Sequence, residues 1–89
     1  MPRKPSRKAK NEPTVSGILG LGLDNADGEK RITRTEEMVL VGGSRETHEQ
    51  MQETAIRFSE ELEKRGKKIN EVSVREAADL LREAHEKSR

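Results

Sequence analysis

The chain has 89 residues, enough for one small domain that buries only a modest fraction of its surface. Its single aromatic residue, Phe58, leaves no stacking platform for single-stranded nucleic acid. The absence of cysteine excludes disulfides and thiolate metal sites and fits a reducing compartment. No apolar run approaches the roughly 18 residues that span a bilayer. We therefore expect a cytoplasmic protein with no membrane segment.

Charge is distributed unevenly along the chain. The formal net charge is +1, but residues 1–14 carry five cations and one glutamate, so the remainder has a net charge of −3. The five cations are Arg3, Lys4, Arg7, Lys8 and Lys10. This segment also contains all three prolines and shows no apolar periodicity. We predict that residues 1–14 form a disordered basic tail and that residues 15–89 form a single domain.

Residues 15–23 have a two-residue period that predicts a strand near 16–23. One face carries Val15, Leu19, Leu21 and Leu23, and the other carries Ser16, Ile18, Gly20 and Gly22. The turn formers DNADG at 24–28 predict a hairpin loop, and a second strand follows near 30–34. Only Ile32 is apolar in that strand, so its opposite face should meet solvent.

Residues 38–41, with the sequence MVLV, are apolar on both faces and predict the best-buried strand. The residues just before it, 34–37, allow two interpretations. They can continue the extended chain, or they can form a helical turn, because Thr33 followed by Glu36 also matches a capping box.

Two helices are predicted after the strands. Ser44 is a good N-cap for a helix near 45–65 that ends before Gly66, and Ser73 begins a capping box for a helix near 74–87. The core stripe of the first helix is Met51, Ala55, Phe58 and Leu62, with His48 at its margin. The second should bury Val74, Ala77, Ala78, Leu81 and Ala84, with Leu80 at the edge.

These elements predict an α+β fold. A β-hairpin and a third strand form a small antiparallel sheet, and two antiparallel helices cover one face of it.

The glycine-rich stretch 17–28, GILGLGLDNADG, does not match a ligand-binding motif. Its order G-x-x-G-x-G reverses the dinucleotide fingerprint, and it leads into a strand rather than a helix. As a calcium loop it would place Leu23 and Arg34 at essential ligand positions. His48 begins HEQMQ, but residue 52 is Gln where a zinc motif needs a second His. We expect no metal, no cofactor and no enzymatic activity.

The transition from strand to helix at Gly42, Gly43, Ser44 and Arg45 is a candidate anion site. Free N–H groups at a helix start attract anions, and Arg45 adds positive charge. The alternative is that the glycines make a tight turn and Ser44 caps the helix, while Glu46 and Glu49 already use the positive helix end.

Two further surfaces are candidates for binding. The basic tail predicts salt-sensitive, non-specific contact with nucleic acid, and the alternatives are a merely solubilising role or contact with an acidic strip on the first helix. That strip consists of Glu49, Glu53, Glu60 and Glu63. Ile56 lies off the core stripe and, with the bare strand face of Gly20 and Gly22, forms a candidate interface for a protein partner or for self-association.

The sequence therefore favours a non-enzymatic interaction or regulatory module, with a body that binds protein and a tail that contacts nucleic acid. The alternative function is a domain that binds a small anion or nucleotide through Gly42, Gly43 and Ser44.

Overall fold

The computed structural model describes residues 13–25 and 27–87. Along the chain lie three strands, β1 (Ile18–Gly22), β2 (Ile32–Arg34) and β3 (Met38–Gly42), then helix α1 (Arg45–Lys64), a 3₁₀ helix (Ile69–Glu71) and helix α2 (Val74–Lys87). This order confirms the predicted α+β class. Residues 1–12 of the predicted disordered tail lie outside the described residues.

The sheet is mixed, so the prediction of a purely antiparallel sheet is wrong. Its strand order is β1-β3-β2, with β1 parallel and β2 antiparallel to β3. The first two strands therefore form no hairpin with each other. The loop between them crosses the carboxyl end of β3, because Ser44 N donates to Asp24 Oδ1 (3.0 Å) and Arg31 Nη1 donates to Gly43 O (3.1 Å).

The hairpin in this fold joins β2 to β3, and it settles the conformation of residues 34–37. Thr35 N donates to Met38 O at 2.8 Å, and the Thr35 hydroxyl accepts from the N–H groups of Glu37 and Met38. This pattern is a tight turn rather than a helical one. The capping box does not form, since the Thr33 hydroxyl bonds to α1 instead.

The core lies between the sheet and the two helices. Met38 and Leu40 of β3 face the predicted α1 stripe, in which Ala55, Phe58 and Leu62 are buried. His48 is buried as well, rather than marginal.

The inner face of α2 differs from the predicted one. Leu80 is buried with Ala77 and Ala84, whereas Val74 and Ala78 are exposed. Turning Leu80 inward buries more apolar area than burial of Ala78 would.

The registers with β3 decide which faces of the edge strands meet the helices. Gly20 and Thr33 both pair with Leu40, so they share its inward face. Ile32 pairs with Val41 and is 62% exposed, so the expectation that the polar side of β2 meets solvent is wrong. Leu19 and Leu21 of β1 and Ile32 of β2 therefore point away from the helices, whereas Ile18 of β1 packs against the core.

The helix ends follow the predicted capping. Thr47 N donates to Ser44 Oγ at 3.2 Å. Gly66 has a φ of +65°, and Lys67 N and Gly66 N donate to the carbonyls of Leu62 and Glu63, which is a Schellman motif. Glu76 N donates to Ser73 Oγ at 3.1 Å.

The described chain also shows order before the predicted domain boundary at Val15. Val74 N donates to Pro13 O at 3.1 Å, and Thr14 forms a bridge with Ser73. Backbone pairing to the start of α2 therefore begins within the segment assigned to the tail.

Candidate functional site

The predicted anion site lies where β3 meets α1, at the carboxyl end of the two parallel strands. Gly42 and Gly43 have φ values of +82° and +87°, which turn the chain sharply into Ser44. The carboxylate of Asp24 lies over this turn. It accepts hydrogen bonds from Ser44 N (3.0 Å), Ser44 Oγ (3.0 Å) and Thr47 Oγ1 (2.7 Å). The Asp24 carboxylate therefore already accepts from donors that an anion bound from solution would need.

The electrostatics of the carboxylate agree with this geometry. The hydrogen bond from Thr47, followed by that from the Ser44 backbone, holds the pKa of Asp24 below its ordinary value. The nearby Arg31 is also engaged. Its guanidinium binds Asp27 through both carboxylate oxygens, at 3.2 and 2.8 Å, and lowers the pKa of Asp27 to about 2. Arg45, which was expected to add positive charge, is exposed.

His48 takes part in a buried polar network rather than a metal site. Its Nδ1 lies 2.8 Å from Gly42 O and therefore donates, because a carbonyl oxygen only accepts. Its Nε2 lies 2.8 Å from Thr33 Oγ1, which also accepts from Gln52 Nε2 at 2.8 Å. The Thr33 hydroxyl therefore bonds both His48 and Gln52 of α1. The network joins β2, α1 and the end of β3.

The face of the sheet that points away from the helices is open and mostly apolar, with the exposed Arg34 at its β2 edge. Leu19 is 62% exposed, Leu21 60% and Ile32 62%. Val39 and Val41 lie between them and are half-buried. We call this surface, Leu19, Leu21, Ile32, Val39 and Val41, the open sheet face. Contiguous apolar patches of about 300–600 Å² on small proteins often mark binding surfaces.

An apolar groove of about 340 Å³ adjoins the outer edge of β1 on the helical side. Its lining includes Ile18 and Gly20 of β1, Met51 of α1 and Leu81 of α2. We call this cavity the β1 groove. Leu19 and Leu21, which belong to the open sheet face, are also among the residues that line this groove.

The structure separates the residues of the predicted interface. Gly20 lines the β1 groove. Gly22 packs against the turn, since a Cβ added there would lie 2.5 Å from Gly43 Cα. Ile56 is 57% exposed on α1 and is absent from the residues that line the β1 groove.

Two features of the candidate site were not predicted from the sequence. Leu19, Leu21 and Ile32 were assigned to strands, but their alternation does not reveal which side the helices cover. Asp24 was assigned to a hairpin turn, and its contact with Thr47 spans 23 positions, for which the sequence offers no local signal.

Two other classes of site are absent from the described residues. Residues 13–25 and 27–87 contain no group of three or more His, Cys, Asp or Glu side chains arranged to hold a metal ion. No helix among the same residues combines the length and the apolar composition of a membrane-spanning segment.

The chain was compared with family models, with curated proteins and with solved structures, and none of the three comparisons gave a match.

Proposed function

We propose that this chain is a non-enzymatic interaction module that binds protein through the open sheet face. The observation that supports the proposal is the orientation of the edge strands. Leu19, Leu21 and Ile32 point away from the helices, while Gly20 and Thr33 point inward. In a chain with so few large apolar residues, leaving these three in water forgoes burial that would stabilise the fold. Such a conflict between local pattern and fold is typical of a functional surface.

The proposal is tested by a photo-reactive amino acid placed at position 21 of the full chain, in cells that produce it. The matched control places the same amino acid at position 56. Leu21 and Ile56 have nearly equal exposure, 60% and 57%, but only Leu21 belongs to the open sheet face.

We expect irradiation to give a discrete covalent adduct from position 21, identified by mass spectrometry, and none from position 56. Leu19→Lys should weaken the adduct from position 21, since it places a charge two residues away on the same face of β1. Equal adduct patterns at the two positions, or none at position 21, would contradict the proposal.

The basic tail supplies a second, assisting contact in this proposal. Five cations within residues 3–10 provide a sequence-independent attraction for a phosphate backbone that falls steeply with salt. The test compares the full chain with a full-length variant in which all five cations are Gln. We expect duplex binding that weakens with added salt in the parent chain and is lost in the variant. Equal, salt-insensitive binding by both chains would remove the tail from the proposal.

The small-anion alternative has less support, because the Asp24 carboxylate already accepts from Ser44 N and Ser44 Oγ. An external anion would have to displace it and would be repelled by its charge. We therefore place protein binding first.

A further inference from the structure

β1 is an edge strand whose outward backbone groups are unpaired within the described sheet. Ile18 N donates to Glu37 O at 2.9 Å, and Ile18 pairs with Met38 in the parallel ladder. In such a ladder every second residue from Ile18 bonds to β3. The N–H and C=O groups of the intervening Leu19 and Leu21 therefore point toward the outer edge.

The two edges of this sheet are built differently. β2 has only three residues, and Lys30, Arg31 and Arg34 lie in or beside it. Short length and positive charge are common devices that prevent an edge from pairing with another chain. β1 has five residues, and residues 13–23 contain no charged side chain at all. Of the two edges, β1 is the one without such protection.

The surface without Asp, Glu, Lys or Arg continues from β1 onto both helices, where His85 is the one titratable side chain among the described residues that line the β1 groove. None of the described residues that line the β1 groove is Asp, Glu, Lys or Arg, although these four residue types make up 39% of the sequence. A second cavity of about 570 Å³, beside the 3₁₀ helix, is lined by Glu36, Glu37, Glu63, Lys67 and Lys68 among others. Depletion of charge distinguishes the core of protein interfaces from the rest of a surface. The β1 groove has that property and the second cavity does not.

We infer that the partner bound at the β1 edge and the adjoining β1 groove is a second copy of the same chain. The two copies pair through antiparallel β1 strands about a two-fold axis at Gly20. This inference rests on the proposed function, since it names the occupant of the surface that includes Leu19 and Leu21. A two-fold contact brings each patch against its own copy, so any net charge in the patch would repel itself. A surface without charge meets that requirement. The product is a six-stranded sheet in the order β2-β3-β1-β1-β3-β2.

Centring the pair on Gly20 is the alignment that uses all five residues of β1. Leu19 then lies opposite Leu21 of the second copy on the open face, and these opposed residues exchange their free backbone hydrogen bonds, four in all. On the groove side Ile18 lies opposite Gly22 of the second copy. A large side chain thus meets a residue without one. Gly22 of each copy therefore leaves room for the Ile18 side chain of the other copy.

The register provides a specific test, by sedimentation equilibrium of full-length chains from about 1 µM to about 1 mM, a range that covers weak homodimers. Leu19→Lys and Leu21→Glu are each prepared alone and as an equimolar mixture. Each variant alone places two unpaired charges opposite leucines. In the mixture the introduced lysine of one chain meets the introduced glutamate of the other, while the remaining leucines still face each other.

We expect the parent chain to reach twice its monomer mass of 10.1 kDa. Each variant alone should remain monomeric at concentrations tenfold higher than those at which the parent dimerises, and the mixture should recover the doubled mass. Ile56→Lys, as the matched control, should dimerise like the parent. Amide hydrogen exchange at Leu19 and Leu21 should slow as the parent chain is concentrated. Far-UV circular dichroism checks that every variant is folded.

A parent chain that is monomeric throughout the range would overturn the inference. So would a dimer that persists in both single variants, or a mixture that stays monomeric. None of these results bears on the proposal that the chain is a protein-binding module. That proposal is tested by a different measurement, the adduct from position 21. An adduct to a different protein, together with a strictly monomeric parent chain, would retain the interaction module and reject self-pairing.

Discussion

The hydroxyl of Thr47 donates a 2.7 Å hydrogen bond to the carboxylate of Asp24, and this contact ties the β1–β2 loop to the first turn of α1. Ser44 contributes two further donors to the same carboxylate. Asp24 therefore acts as a second cap on α1, supplied from a loop more than twenty positions earlier. The contact also carries the chain across the end of β3 and so separates β1 from β2.

Asp24→Asn should destabilise the fold at neutral pH. Hydrogen bonds from Thr47 and Ser44 lower the pKa of Asp24 from the ordinary 3.8. Because the folded pKa is depressed, the stabilisation is fully present above about 3.8 and is lost as the pH falls through the folded pKa. Thermal melts should show a lower melting temperature for the variant at pH 7 and convergence with the parent once the pH is below the folded pKa of Asp24.

The control for that experiment is Asp79→Asn. Asp79 bonds Arg82 within one turn of α2, and both side chains are more than half exposed. An exposed ion pair of this kind contributes little to the stability of the fold. The decrease in melting temperature at pH 7 should therefore be smaller for Asp79→Asn than for Asp24→Asn. Equal decreases would show that Asp24 has no special role at the helix start.

Phosphate should bind the α1 N-terminus only after Asp24 is removed. In the parent chain the Ser44 N–H already donates to Asp24. We expect the amide resonances of Gly43 to Glu46 to stay fixed at millimolar phosphate, and those of Asp24→Ala to move, since a free helix start attracts anions. Movement in the parent chain would instead favour the small-anion function.

Gly22→Ala should be markedly more harmful than Gly20→Ala. A Cβ at Gly22 would lie 2.5 Å from Gly43 Cα and 2.7 Å from Gly43 N, which are backbone atoms. At Gly20 the nearest atom is 2.9 Å away, but it is the end of the Leu40 side chain. Overpacking costs about 1–3 kcal/mol, and we place Gly22→Ala near the upper limit and Gly20→Ala near the lower. Chemical denaturation measures both, and the reverse order would contradict this packing.

Thr33→Val should destabilise the domain by about 1–3 kcal/mol, because it leaves His48 Nε2 and Gln52 Nε2 without their shared partner. Thr33→Ser, the matched control, retains the hydroxyl and should cost less than half as much. Urea denaturation of the two variants gives the comparison. A loss for Val no larger than that for Ser would contradict the hydrogen-bond account, because Val keeps the methyl group of Thr and removes only the hydroxyl.

Features that depend on neighbours a few positions apart were predictable from the sequence. Ser44 bonds Thr47, three residues away, and the carbonyls that end α1 lie within five residues of their donors. The stripe from Ala55 to Leu62 follows from helical geometry and contains Phe58, which is completely buried. The limits of both helices and the central, most buried position of β3 therefore agree with the local pattern.

The arrangement of the sheet, and with it the candidate surface, was decided by tertiary structure. Alternation along β1 separates the leucines from the glycines but gives no sign of which side the helices cover, because each side is consistent with a strand. The register with β3 decides it, since pairing Gly20 with Leu40 turns the leucines outward. Strand order depends likewise on the contacts of Asp24 and Arg31 with the start of α1, which join residues 12 to 23 positions apart. Local periodicity carries no information about such distant pairs, so the open sheet face emerges only when the three strands are assembled.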